Sequence, residues 1–151
     1  MNQMHVSLNS MMPLMQEALA SGKTVQFSPR GISMEPMLRQ ERDSVTLSPI
    51  PGKLKKYDLP LYRRDNGTYV LHRVIRAGDD YTCIGDNQFV KEPGIRQDQL
   101  IGLVRSFTHK GKTYSVSHAG YRIYCRVWHY TRFPRHVLRY VSVRLRRLIK
   151  K

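Results

Sequence analysis

The chain has 151 residues, a length that suits one domain with a modest hydrophobic core. Its formal charge of +15 is uneven: residues 1–98 carry 13 basic and all 11 acidic side chains, whereas residues 99–151 carry 13 basic side chains and no acid. The sequence offers neither a metal-ligand spacing nor the run of about 18 apolar residues that a membrane span requires. We therefore expect a globular domain with a polycationic tail that seeks polyanions.

In chain order, the first predicted element is an amphipathic helix over residues 9–21, with apolar side chains at helical spacing. Over residues 24–116 the period changes to two, and short strand-like runs alternate with turn residues. An Asp-Asn-Gly sequence at 65–67 predicts a hairpin with a type I′ turn, and one strand follows it over 69–75. The sequence therefore predicts a mainly β fold: an antiparallel core behind a helix, in one domain over residues 1–117.

The tail, residues 118–151, again has a helical pattern, with two apolar stripes that Pro134 separates. Ten arginine and lysine side chains accompany these stripes. An apolar face with aromatic anchors and an arginine-rich polar face suits a helix in the plane of a membrane surface. The alternative is a helix packed on its own domain with a solvated basic face. We predict peripheral contact with an anionic membrane, and no nucleic-acid partner, since neither a helix-turn-helix nor a zinc module is present.

Two features indicate a cytosolic location. The N-terminal segment lacks the basic region of a signal peptide. It also lacks a long apolar run, because Gln16 and Glu17 interrupt its apolar residues. Cys83 and Cys125 form no close pair and predict two free thiols in a reducing compartment. We expect the globular part on the cytoplasmic side of the membrane.

Three side chains supply, in order, the hydroxyl, imidazole and carboxylate of nucleophilic acyl transfer. Ser33 lies in a Gly- and Pro-bearing loop, His72 on an apolar strand, and Asp86 in a Gly-Asp-Asn turn. An imidazole suits the role of base because its ordinary pKa of about 6.5 leaves it mostly neutral at pH 7. Each residue also has a plainer interpretation, as a loop serine, a buried core histidine and a turn aspartate.

Four short motifs together resemble the type I signal peptidases and their self-cleaving repressor relatives. These are Gly-x-Ser-Met-x-Pro-x-Leu at 31–38, His-Arg-Val at 72–74, Gly-Asp-Asn at 85–87 and Ile-Gly-x-Val at 101–104. The resemblance covers roughly residues 24–107. It points to the branch of the family that uses histidine rather than lysine as the base.

The resemblance implies that Ser33 is the nucleophile and His72 the base, assisted by Asp86. A second acid often follows in the family, and Glu92 is the nearest match here. Gly31 stands where many members have a serine that helps to hold the oxyanion, so more of that role falls to backbone N–H groups. The resemblance also implies a β-rich fold with the extended substrate along a sheet edge. The predicted oxyanion and substrate-binding segment comprises Gly31, Ser33, Met34 and Pro36.

The predicted function is therefore a serine endopeptidase of signal-peptidase type, which cleaves leader or precursor peptides without a metal or cofactor. The alternative is a catalytically inactive domain of the same fold that binds a peptide or protein partner at the membrane surface.

Overall fold

The computed structural model describes residues 8–149, which form an antiparallel β core with one helix before it and two after it. The helices are α1 (Leu8–Ala20), α2 (Ala119–Tyr130) and α3 (Arg132–Ile149). The strands are β1 (Val25–Phe27), β2 (Val45–Ser48), β3 (Pro60–Arg63), β4 (Tyr69–Leu71), β5 (Arg73–Ala77), β6 (Tyr81–Ile84), β7 (Glu92–Ile95), β8 (Leu100–His109) and β9 (Lys112–Ser115). The predicted fold class is confirmed.

The strands form two sheets in which every pairing is antiparallel. The larger sheet has the order β1-β2-β8-β3-β4, and β9 also pairs with β8. Strand β8 has room for both β3 and β9 on the same side because it is 10 residues long, so each takes one half of it. The smaller sheet has the order β5-β6-β7. Strand β4 thus lies at one edge of the larger sheet.

The prediction of one continuous strand over residues 69–75 is wrong, because the structure divides this segment into two strands. Strand β4 ends at Leu71 and pairs in the larger sheet, whereas β5 begins at Arg73 and pairs in the smaller one. His72 is therefore the residue at which the chain passes between sheets. Residues 71–74 are all buried, because each of them meets the interior at this crossover.

The Asp-Asn-Gly sequence joins β3 to β4 as predicted, but through a longer loop, residues 64–68. Gly67 has a φ of 85°, whereas Asn66 has no positive φ. A type I′ turn needs positive φ at both central residues, so that turn type was predicted wrongly. The longer loop leaves Arg64 at its base, beside the candidate site.

Buried apolar side chains form two clusters, one on the larger sheet and one that combines residues of both sheets. The larger holds α1, the loop after β1 and α2 against the larger sheet. Helix α2 contributes Tyr121 and Cys125 to it, so this part of the tail packs on its own domain. The smaller cluster includes Tyr62, Val74, Tyr81 and Cys83. Both cysteines are free and buried.

The two tail helices divide at Thr131 rather than at Pro134. Pro134 instead lies in the first turn of α3, where its missing N–H has no intrahelical partner to lose. Over residues 8–149, no helix has both the length and the apolar composition that crossing a bilayer demands.

Candidate active site

Ser33 lies in the loop between β1 and β2, and the turn after β6 holds this loop in place. From that turn, the Asn87 backbone N–H donates to the Ser33 carbonyl at 2.8 Å, and the Asn87 side-chain amide donates to the Ile32 carbonyl at 3.1 Å. A Cβ on Gly85 would lie 2.6 Å from the Ser33 carbonyl oxygen and 3.1 Å from His72 Nε2. A side chain at Gly85 has no room, so glycine lets the Ser33 loop approach the His72 ring.

Ser33 and His72 line one pocket of about 240 Å³. Loop residues on the Ser33 side and strand β4 with the residue before it supply much of the remaining wall. Among residues 8–149, the hydrogen bonds of the His72 ring run through Nδ1, and none joins the ring to the Ser33 hydroxyl. Such bonds between a nucleophile and its base are often long before substrate binds. The other lining residues include Pro29, Arg30, Gly31, Met34, Leu38 and Gln88.

Glu92 is the carboxylate that contacts the His72 ring. Its Oε1 lies 2.9 Å from His72 Nδ1, and the Tyr62 hydroxyl donates to its Oε2 at 3.0 Å. Arg64 binds both carboxylate oxygens. With its proton on Nδ1 donated to Glu92, neutral His72 keeps a lone pair on Nε2, the nitrogen near Gly85 and the Ser33 loop.

Burial is the main reason that the His72 ring is neutral at pH 7. Burial lowers the pKa of His72; the Glu92 carboxylate opposes this effect, and the Arg64 guanidinium adds to it. Burial tends to raise the pKa of Glu92, but its bonds to Arg64 and Tyr62 and the nearby His72 outweigh burial and hold that pKa below its ordinary value. The pair therefore consists of an ionised carboxylate and an imidazole able to accept a proton.

We expect Arg64→Gln and Glu92→Gln to move the pKa of His72 in opposite directions. Arg64→Gln removes a positive charge that lowers this pKa, so the pKa should rise. Glu92→Gln removes the negative charge that supports the imidazolium, so the pKa should fall. NMR titration of the His72 ring protons measures both changes, and two shifts in the same direction would contradict the arrangement.

The Asp86 carboxylate is not bound to the His72 ring. Its carboxylate receives two hydrogen bonds from Arg73, each 2.8 Å long, and one from the Tyr124 hydroxyl at 3.0 Å. Asp86 and Arg73 are each 1% exposed. The carboxylate in contact with the imidazole is that of Glu92, the other acid predicted for the site, while Asp86 ties the turn after β6 to β5 and α2. The cause is the direction of the side chain, which sequence order does not reveal.

The predicted oxyanion and substrate-binding residues are not all in one place. Gly31 and Met34 line the Ser33 pocket, but the Gly31 N–H already donates to the Gln40 side chain at 2.9 Å. Pro36 lies outside this pocket and lines a separate apolar cavity of about 400 Å³, between the Ser33 loop, β8, β9 and α2. Pro36 is therefore not part of the Ser33 pocket.

Sequence reasoning missed Tyr62, Arg64 and Arg73. Arg73 stood in the His-Arg-Val motif, and its buried partner Asp86 stood in the Gly-Asp-Asn motif, so the two motifs are held together by this ion pair. Glu92 lies at the start of β7, a strand that was not predicted because Pro and Gly follow Glu92. Proline is tolerated there because β7 is an edge strand.

The two cysteines do not compete with Ser33 as nucleophiles. Burial raises the pKa of Cys83 to about 12 and also raises the pKa of Cys125, so both stay protonated at pH 7. Within residues 8–149, no group of three or more His, Cys, Asp and Glu side chains is arranged to bind a metal ion.

No family model, curated protein or solved structure matches this chain. The candidate site therefore rests on its own geometry. Its essential parts are a half-buried serine, a buried neutral histidine in the same pocket, and a carboxylate bound to the far nitrogen of that histidine.

Proposed function

We propose that this protein is a serine endopeptidase in which Ser33 is the nucleophile and His72 the general base. The observation that carries the proposal is the shared pocket of Ser33 and His72, with Glu92 bound to the opposite nitrogen of the ring. Hydroxyl, imidazole and carboxylate in this order are the parts of the triad that recurs on unrelated folds. The motif resemblance to type I signal peptidases supports the same assignment of Ser33 and His72.

The proposed reaction uses His72 twice. Nε2 accepts the Ser33 proton as Oγ attacks the scissile carbonyl carbon, and His72 then gives that proton to the leaving amine, which leaves an acyl-enzyme. Nε2 next takes a proton from water, the hydroxide attacks the ester, and the proton returns to Ser33 Oγ as the acid product leaves. Glu92 stabilises the imidazolium at each stage. The Ser33 backbone N–H is the proposed oxyanion donor, since the Gly31 N–H is engaged by Gln40.

Strand β4 supports an extended polypeptide as the substrate. It is the terminal strand of the larger sheet, and residues 68–71 line the Ser33 pocket. An edge strand offers unpaired backbone groups, and an extended segment binds there by forming one more strand. A peptide paired with β4 would run between β4 and residues 29–31 of the Ser33 loop, past the nucleophile. We therefore propose that leader or precursor peptides with an extended cleavage segment are the substrates.

A second candidate function is peptide binding without turnover. One observation favours it: the Ser33 hydroxyl and the His72 ring are not hydrogen-bonded to each other. In that case the β4 edge and the Ser33 loop would form a peptide-binding groove in a domain of the same fold.

Ser33→Ala should lower the cleavage rate by about 10⁴-fold or more, because no other group replaces the nucleophile. A mixture of unstructured peptides incubated with the full chain and read by mass spectrometry measures this effect. Ser28→Ala is the matched control, since Ser28 lies in the same loop, is exposed and does not line the pocket. Cleavage that Ser33→Ala leaves intact would contradict the proposal, and peptide binding without cleavage by the wild type would select the second candidate.

A further inference from the structure

Helix α3 packs on the domain through its basic side. Arg132 donates to two carbonyls of the turn after β6, residues 85–89, at 3.1 and 2.6 Å. Arg139 donates to a side-chain oxygen of the same turn at 3.1 Å, and the His136 ring packs on the turn's phenylalanine with centroids 4.1 Å apart. The face that would ordinarily point to solvent in an amphipathic surface helix therefore points inward here.

The apolar side of α3 points outward. The exposed side chains are Phe133 at 76%, Leu138 at 69%, Tyr140 at 61%, Val141 at 46% and Val137 at 43%. Their spacing places them on one side of the helix, which we call the outer face of α3. A monomeric soluble protein rarely exposes a contiguous apolar surface of this kind, so the outer face is expected to have a partner.

Helix α2 has a similar exposed stripe. Ile123, Val127 and Tyr130 are 60%, 54% and 71% exposed and recur at intervals of four and three residues. The buried residues of α2, Tyr121 and Cys125, lie on its other side, in the core. Both tail helices thus keep apolar side chains in solvent although each packs on the domain.

We propose that the outer face of α3 docks on an anionic lipid bilayer. The argument for this partner is charge: residues 99–151 carry 13 basic side chains and no acid, and Arg122 and Arg126 of α2 and Arg144 of α3 are exposed. Aromatic and aliphatic side chains that enter the acyl boundary, with arginines at the level of the headgroups, are what an in-plane helix requires.

Other occupants of the outer face fit less well. A second copy of the chain would bring an equally cationic tail against the first, and like charges would oppose the contact. A nucleic acid would neutralise the arginines but would leave Val137, Leu138 and Val141 in water, because phosphate recognition makes no use of aliphatic side chains. An anionic bilayer satisfies both the charge and the apolar surface.

Docking through α3 also places the candidate active site near the bilayer. Helix α3 contacts the turn after β6, and Asn87 of this turn donates a hydrogen bond to the Ser33 loop. Gln88 of this turn lines the Ser33 pocket as well. The substrates would then be peptides that lie on or emerge at an anionic membrane surface. This consequence rests on the proposed peptidase function, whereas the docking itself does not.

Flotation of the full chain with lipid vesicles tests the docking. We expect binding to vesicles that contain about one third phosphatidylglycerol, weaker binding at high salt, and little binding to pure phosphatidylcholine. Leu138→Glu should weaken the binding about tenfold or more, because a buried leucine is lost and a negative charge is added. The matched control is Leu14→Glu on α1, which makes the same change at a site that is 70% exposed.

Three results would overturn the docking proposal: no wild-type flotation with anionic vesicles, equal binding by Leu138→Glu and Leu14→Glu, or a dimer in solution that Leu138→Glu dissociates. The last result would assign the outer face to a second copy of the chain. Ser33→Ala should float like the wild type, so loss of peptidase activity and loss of docking are separately measured. Circular dichroism of each variant confirms that it is folded.

Discussion

Asp86→Ala should lower the free energy of unfolding by about 3–5 kcal/mol, the usual effect of removing one partner of a buried ion pair. Arg73 and Asp86 are each 1% exposed, and two hydrogen bonds of 2.8 Å join them. Without Asp86, the Arg73 guanidinium would stay buried with its charge uncompensated. The Tyr124 hydroxyl would lose its acceptor as well, which weakens the contact of α2 with the turn. A domain of this size has little stability to spare beyond such a loss.

Urea denaturation followed by tryptophan fluorescence and circular dichroism measures the change. Asp80→Ala is the matched control, because the exposed Arg76–Asp80 pair has the same 2.8 Å separation but its side chains are 64% and 44% exposed. That substitution should change the stability by no more than about 1 kcal/mol. If Asp86→Ala were as stable as the control and lost only activity, Asp86 would be a catalytic acid after all.

His72→Ala should lower kcat/KM by about 10⁴-fold or more, since the nucleophile loses its base. Glu92→Gln should lower kcat by about 10²- to 10⁴-fold for a different reason. A glutamine amide can donate to Nδ1 of His72, and the neutral ring would then carry its proton on Nε2. In that tautomer Nε2 cannot accept the proton of Ser33. The charge that stabilises the imidazolium is also lost.

Steady-state kinetics on a fluorogenic peptide separates these effects. Glu35→Gln makes the same change in the Ser33 loop at a residue that does not line the pocket, so it should leave kcat within about twofold. Full activity of Glu92→Gln would show that the contact of Glu92 with His72 is structural only.

Most strands of the core could be predicted from alternation and turn residues, because these signals act within a few positions. All nine strands found in residues 8–149 lie within the segment of predicted strand-like runs, residues 24–116, and the predicted helix over 9–21 matches α1 to within one residue at each end. The crossover at His72 could not be predicted in this way. Burial of His72 and Arg73 depends on side chains far along the chain, and a buried arginine looks like a solvent-facing one in a pattern of alternation.

The sequence predicted which residue types form the candidate site, but not which side chains contact one another there. Ser33 and His72 followed from order and motif, and both line one pocket. The choice between Asp86 and Glu92 depends on which carboxylate faces the imidazole. That direction is set by the Arg73–Asp86 pair on one side and by Arg64 and Tyr62 on the other.

For the tail, too, the sequence predicts the residue types on each helix but not the direction in which its faces point. Its charge and apolar stripes were evident, but helical spacing cannot say which side of a helix meets the domain. In α2 the apolar residues Tyr121 and Cys125 face the core, whereas in α3 Arg132 and Arg139 face the domain. Contacts with the turn after β6, far along the chain, and with Trp128 of α2 hold α3 in that orientation.

Covalent labelling by a fluorophosphonate tests most directly whether His72 activates the Ser33 hydroxyl. An activated serine oxygen attacks the phosphorus of the probe, gives up its proton to the base and displaces fluoride, so the phosphonyl group stays on the serine. Digestion followed by mass spectrometry identifies the residue that carries the adduct. We expect one adduct, on Ser33, which is lost in Ser33→Ala, kept in Ser28→Ala and formed far more slowly in His72→Ala. An adduct on another serine, or equal rates in the wild type and His72→Ala, would contradict the proposed chemistry.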